Sequence, residues 1–118
     1  MNFGLISSFL PLSPASLHIL LALVAEERHG YHIMQEIKKH SQGQYKIGPG
    51  TLYDNLQKLM NQGLVEGAPG AGRDEDARRR YYRLTKLGRS VLGAEVDRLD
   101  DVIREARIHL RPALGRRS

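Results

Sequence analysis

The spacing of apolar residues changes several times along the chain, and each change marks an element. Ser13 followed by Pro14 has the form of an N-cap and a first-turn proline, and it opens a helix expected to run to about Glu27. Leu17, Ile19, Leu20, Leu21, Leu23 and Val24 lie around nearly its whole circumference, which predicts burial on most sides. His18 within it is expected to be a buried, hydrogen-bonded residue. After a turn at His29-Gly30, the residues Tyr31, Ile33, Met34 and Ile37 form a helical stripe that stops before the polar cluster His40-Ser41-Gln42-Gly43. A third helix is framed by Pro49 in its first turn and Gly63 just past its end. Leu52, Leu56, Leu59 and Met60 make its apolar side, and Thr51, Asp54, Asn55, Gln57, Lys58 and Asn61 lie opposite.

Beyond the third helix the period shortens to two. Leu64-Val65-Glu66 and the run from Arg79 to Leu84 read as strands, the second with Tyr82 and Leu84 on one face and Tyr81 and Arg83 on the other. They are joined by a polar loop, Gly67 to Ala77, whose charge switches from Asp74-Glu75-Asp76 to Arg78-Arg79-Arg80. Thr85 then caps a final helix in which Leu92, Val96, Leu99, Ile103, Ala106, Leu110 and Ala113 alternate steps of four and three, a heptad seam. The residues between them are charged, among them Glu95, Asp97, Arg98, Asp100 and Asp101, as flanking positions of a coiled coil are. From Lys86 to Arg111 this helix would extend roughly 40 Å, longer than so small a body can cover, so a second copy is expected against Leu92, Val96, Leu99, Ile103, Ala106 and Leu110.

The pattern predicts a mainly α fold with a small β-hairpin: a winged helix-turn-helix plus a long C-terminal dimerisation helix. Residues 1–12 would be an N-terminal arm or short helix, with Leu5, Ile6, Phe9 and Leu10 packed against the body or a second subunit. Residues 13–84 would be the DNA-binding domain, and 85–118 the dimerisation helix with a basic tail.

Composition narrows the function classes. The 118 residues carry a formal charge of +5, which favours an acidic partner, and no cysteine, which excludes a disulfide framework, a thiolate metal site and a thiol redox sensor in this chain. The longest apolar run, Ile19 to Ala25, is too short to cross a bilayer, and residues 1–12 lack the basic start of a signal peptide, so no membrane partner and a cytoplasmic location are expected. His29, His32 and His40 have no carboxylate or cysteine at matching spacing, and neither a metal nor a cofactor is expected. No catalytic constellation and no glycine-rich phosphate loop after a strand can be placed, which argues against an enzyme.

Three stretches together carry a family resemblance: HGYHIMQEI at His29 to Ile37, GPGTLYDNLQKLMNQGLVE at Gly48 to Glu66, and RRYYRLTKLGR at Arg79 to Arg89. With these the chain resembles the PadR family of bacterial transcriptional regulators from about Leu12 to Leu110. The resemblance implies a homodimeric winged helix-turn-helix protein, usually a repressor, joined through its C-terminal helix and released from DNA by a small hydrophobic or aromatic effector. It places Thr51 and Tyr53 at the DNA surface and the arginines before the tyrosine pair in the wing. The chain departs from the family pattern at Gly48, where a serine or threonine cap is frequent, and at Asp54, whose carboxylate would repel phosphates unless it accepts from a cytosine amino group or pairs with Lys58.

On this reading the partner is double-stranded DNA carrying a near-palindromic operator, with half-sites about 34–36 Å apart. Thr51, Asn55 and Gln57 are candidates for base contact, and Lys46, Tyr53, Lys58, Arg78, Arg79 and Arg80 for phosphate contact. Lys38 and Lys39 either touch phosphates or are solvated. The alternative is a winged-helix protein-interaction module that dimerises without binding DNA, for which Asp54 and the acidic wing tip speak.

Overall fold

The computed structural model describes residues 3–68 and 80–116, with side chains to Arg111. The elements are α1 (Phe3–Ser7), α2 (Pro14–Leu23), β1 (Arg28–His29), α3 (Gly30–His40), α4 (Pro49–Asn61), β2 (Val65–Ala68), β3 (Tyr81–Leu84) and α5 (Lys86–Arg116). This is the mainly helical winged helix-turn-helix that the pattern predicts, with a small sheet and a long final helix.

α2 starts as expected, with Ser13 Oγ accepting from the Ser16 N–H at 3.1 Å and Pro14 in the first turn. It ends at Leu23, one turn before the expected Glu27. The reason is tertiary: Arg28 Nε donates to Ala22 O at 2.7 Å and Arg89 Nη2 donates to Val24 O at 3.1 Å, so two guanidinium groups satisfy carbonyls that another helical turn would have used. The released chain forms β1, a strand the sequence reading did not contain.

β1 pairs antiparallel with β3 through Arg28 opposite Tyr82 and His29 opposite Tyr81, and β3 pairs with β2 from Val65 opposite Leu84 to Ala68 opposite Tyr81. The sheet order is β1-β3-β2. β2 therefore reaches Ala68, into what was expected to be loop. The rest of that loop lies outside the described residues, and with it Asp74 to Asp76, Arg78 and Arg79. The expected alternation along β3 is clear at its centre, with Tyr82 buried and Arg83 exposed, while Leu84 and Tyr81 are both half-buried, Tyr81 because its ring meets His29 edge-on with centroids 5.4 Å apart.

The core collects Ile19 and Leu20 of α2, Ile33 and Ile37 of α3, Leu52, Leu56 and Leu59 of α4, Leu64, Val65 and Tyr82 of the wing, and Val91 and Leu92 of α5. Leu92 thus corrects the expected seam: at 4% exposure it packs in its own subunit, because the first turns of α5 lie on the body. Glu95 is a second correction. Expected at a charged flanking position of a coiled coil, it is 1% exposed and accepts from the Leu12 N–H at 2.8 Å and from Arg98 Nε at 2.5 Å. Its carboxylate ties the chain after α1 to α5, while Ile6 buries α1 against the same helix.

Candidate nucleic-acid interface

α4 is fixed at both ends and along one side. Gly48 supplies no side-chain cap; the helix opens on Pro49 and on the Leu52 N–H donating to Gly48 O at 2.9 Å. At the other end Gly63 sits at φ +77°, a conformation that suits glycine, and the Gly63 N–H to Met60 O and Leu64 N–H to Leu59 O bonds, both 3.0 Å, close the helix in a left-handed cap. Leu52, Leu56 and Leu59 are buried against α2 and α3, which sets the rotation of the helix. Thr51, Tyr53, Asp54, Gln57, Lys58 and Asn61 consequently point outward and are exposed, with Asn55 half-buried beside them.

Two of the outward amides have partners within the helix. Asn55 Nδ2 donates to Thr51 O at 2.8 Å, and Gln57 Nε2 donates to Asn61 Oδ1 at 3.1 Å. The Asn55 amide nitrogen carries two N–H donors, so one bonded to Thr51 O leaves the other, with Oδ1, for the paired contact that an adenine edge offers.

Tyr53 is 47% exposed, and its phenol rests on the first residue of α3: a Cβ built on Gly30 would stand 2.2 Å from Tyr53 Oη. Glycine at position 30 is what lets the ring lie there, a role the sequence reading missed when it took Gly30 for a turn residue alone. The wing converges on the same place. Burial pushes the Tyr82 phenol up, the hydrogen-bonding Arg80 guanidinium pulls it the other way, and Tyr53 adds to the rise. Arg80, exposed just before β3, and Tyr53 both act on the Tyr82 phenol and so stand near one another, whereas Arg78 and Arg79 lie outside the described residues.

Lys46 is exposed in the loop that leads into α4. That loop is pinned by Ser41 Oγ, which donates to Tyr45 O and accepts from the Tyr45 N–H, each at 3.1 Å. Tyr45 in turn stacks on His18 with ring centroids 4.4 Å apart, and His18 Nδ1 lies 3.2 Å from His40 Nε2. His18 is half-buried and hydrogen-bonded; burial first, and the facing His40 second, lower its pKa.

Past the body, α5 carries a bare apolar strip. Val96, Ile103 and Leu110 are exposed, with Ala106 beside them, and Leu99 is half-buried where the helix leaves the core. Val102 and Ile108 are also exposed, so the strip is wider than the heptad seam implied.

Comparisons with known proteins agree with this architecture. A family profile described as the transcriptional regulator PadR-like family matches residues 19–94. The chain is 38% identical over 90 residues to the transcriptional regulator Rv3488 of Mycobacterium tuberculosis, covering 75% of this chain and 78% of that protein. Its fold is similar to that of a transcriptional regulator from Clostridium thermocellum, with a TM-score of 0.67 at 22% identity over 91% of this chain and 95% of the other. It is also similar in fold to Bacillus subtilis PadR in complex with operator DNA, with a TM-score of 0.63 at 22% identity over 73% of this chain and 47% of that one.

Proposed function

The chain belongs to the PadR-like family of transcriptional regulators, a family of regulators and not of enzymes, and from that premise we propose that it is a dimeric repressor reading a near-palindromic operator. The observation that carries this reading is the outward side of α4, a rod held at both ends whose exposed groups include a hydroxyl, a phenol, amides and a cation beside the one carboxylate of Asp54. Thr51, Asn55 and Gln57 make the base contacts, and Lys46, Tyr53, Lys58, Arg78, Arg79 and Arg80 hold phosphates. The exposed strip of α5 joins two copies and sets the distance between their α4 helices. A small hydrophobic or aromatic effector releases the DNA by binding better to a dimer whose readers are wrongly spaced, since a ligand shifts an equilibrium only through its differential affinity. No helix among the described residues is long and apolar enough to cross a membrane, and the regulator is assigned to the cytoplasm.

A gel-shift titration against duplexes selected from a random library tests this reading. A repressor gives a selected near-palindrome whose retardation weakens linearly in log salt. Asp54, exposed in the middle of the α4 face, favours the rival, an interaction module without DNA binding. Recovery of no preferred duplex at modest salt would overturn the repressor and favour that rival.

A further inference from the structure

Asp54 is exposed in the middle of the outward side of α4. On a helix its neighbours are the residues three and four positions away, here Gly50, Thr51, Gln57 and Lys58, and its own carboxylate leans back toward the first turn. Asn55 donates to Thr51 O and Gln57 donates to Asn61 Oδ1. Asp54, in contrast, makes no hydrogen bond or ion pair among the described residues, and the pairing with Lys58 that the sequence allowed is not formed. The surface one turn earlier is bare, since a Cβ built on Gly50 would meet nothing within 4 Å. Glycine there answers no packing need inside the chain and leaves the approach to the Asp54 carboxylate open to an external group.

A carboxylate with no partner in its own chain, carried on a surface that meets phosphates, is repelled by them unless a donor receives it. The major groove offers only two such donors, the amino groups at cytosine N4 and adenine N6. Adenine sets its N7 acceptor beside N6, facing the second carboxylate oxygen, whereas cytosine sets a C5–H beside N4. Guanine O6 and N7 and thymine O4 are acceptors and repel both oxygens. We propose that Asp54 is a specificity-determining residue, which accepts from the N4 amino group of one cytosine in each half-site and keeps the other bases out of that position. The proposal rests on the DNA-reading assignment above and adds a fixed base to the operator. Selection of this kind acts by repulsion as well as attraction, so Asp54 lowers affinity for unrelated DNA.

The test uses the full chain and the near-palindrome that wild type selects from a random library, and compares wild type, Asp54→Ala and Asp54→Asn by fluorescence anisotropy. Neither change removes a contact within the chain, so the thermal transitions of the variants should not fall below that of wild type. Each half-site should contain one cytosine whose replacement by any other base lowers wild-type affinity at least about fivefold. N4-methylcytosine at that place, with its methyl group turned into the major groove, should cost wild type as much as a changed base. Asp54→Ala should bind all of these duplexes within about twofold of one another and should hold scrambled duplex more tightly than wild type does. Asp54→Asn, whose amide both donates and accepts, should take adenine at that place at least as well as cytosine. An alanine variant that keeps the wild-type preference at every position, or a wild type indifferent to N4-methylcytosine, overturns the cytosine contact while leaving operator reading intact. Failure of wild type to prefer any duplex removes both.

Discussion

At the scale of single residues, two ionisable groups make the stability of this fold depend on pH. Glu95 is nearly fully buried, and the hydrogen bond from Arg98, assisted by the Leu12 N–H, holds its carboxyl below the usual range even though burial pulls the other way. A carboxyl whose folded pKa is depressed contributes stability that is present above its unfolded value and is lost as pH falls through the folded one. Glu95→Gln keeps the volume and an acceptor for Leu12 but loses the charge facing Arg98, so it should destabilise by about 1–3 kcal/mol at pH 7. Urea unfolding of the two proteins at pH 7 and pH 3 checks this: their midpoints should converge on acidification. His18 acts in a higher window with the same sign. Its depressed pKa means that the neutral ring is the one that fits between Tyr45 and His40, so its contribution is complete above the ordinary histidine value and fades as pH falls below it. The difference in stability between wild type and His18→Phe should therefore shrink from pH 7.5 to pH 5, and a constant difference would assign the site to packing alone.

Among the elements, the joint between α4 and α5 decides how firmly α4 is held. Thr85 Oγ1 donates to Gly63 O at 2.6 Å and accepts from the Gly88 N–H at 2.9 Å, so one hydroxyl links the end of α4 to the start of α5. Thr85→Ala should cost about 1–2 kcal/mol through the lost cap. Gly88 packs so closely that a Cβ would stand 2.0 Å from Leu64 O, a backbone atom, whereas one on Gly93 would meet nothing within 4 Å. Gly88→Ala should lower stability by about 2–3 kcal/mol from overpacking, and Gly93→Ala should raise it by about 0.5–1 kcal/mol through helix propensity. Thermal melts of the pair measure the contrast. The same contrast explains what the sequence made legible. Pro49 and Gly63 act on their own neighbours, so the bounds and outward face of α4 were readable; so was the alternation along β3. The end of α2 depends on Arg28 and on Arg89, the latter 65 positions from the carbonyl it caps, and β1 is too short for any period to show. The seat of Tyr53 on Gly30 and the burial of Glu95 likewise arise only when separate elements meet. Spacing tells which residues share a face but not where the body ends under a long helix, so the heptad pattern includes Leu92 although the body buries it.

For the molecule as a whole, the consequence of α5 is geometric. The helix has 31 residues, about 46 Å at 1.5 Å per residue, in a molecule measuring 59 × 35 × 23 Å. The body covers Val91, Leu92 and Glu95; from Asp100 to Arg111 every residue is exposed, and Val102, Ile103, Ile108 and Leu110 present apolar surface there. Surface of this kind along one helix fits burial against a second copy, and a two-fold pairing of α5 would hold two α4 helices at one fixed distance. Ile103, 49% exposed in the single chain, lies too far from the core for its replacement to disturb the body. Ile103→Glu should therefore leave the thermal transition of the winged domain in place while converting the protein, in sedimentation at micromolar concentration, from twice the chain mass to the chain mass. Its operator affinity should fall at least about a hundredfold, because each half-site then binds without the effective concentration that a joined partner supplies. Binding to a single half-site should stay as it was. A variant that sediments as wild type and keeps its operator affinity would mean that the exposed strip of α5 serves some purpose other than pairing, and that another contact sets the spacing of the readers.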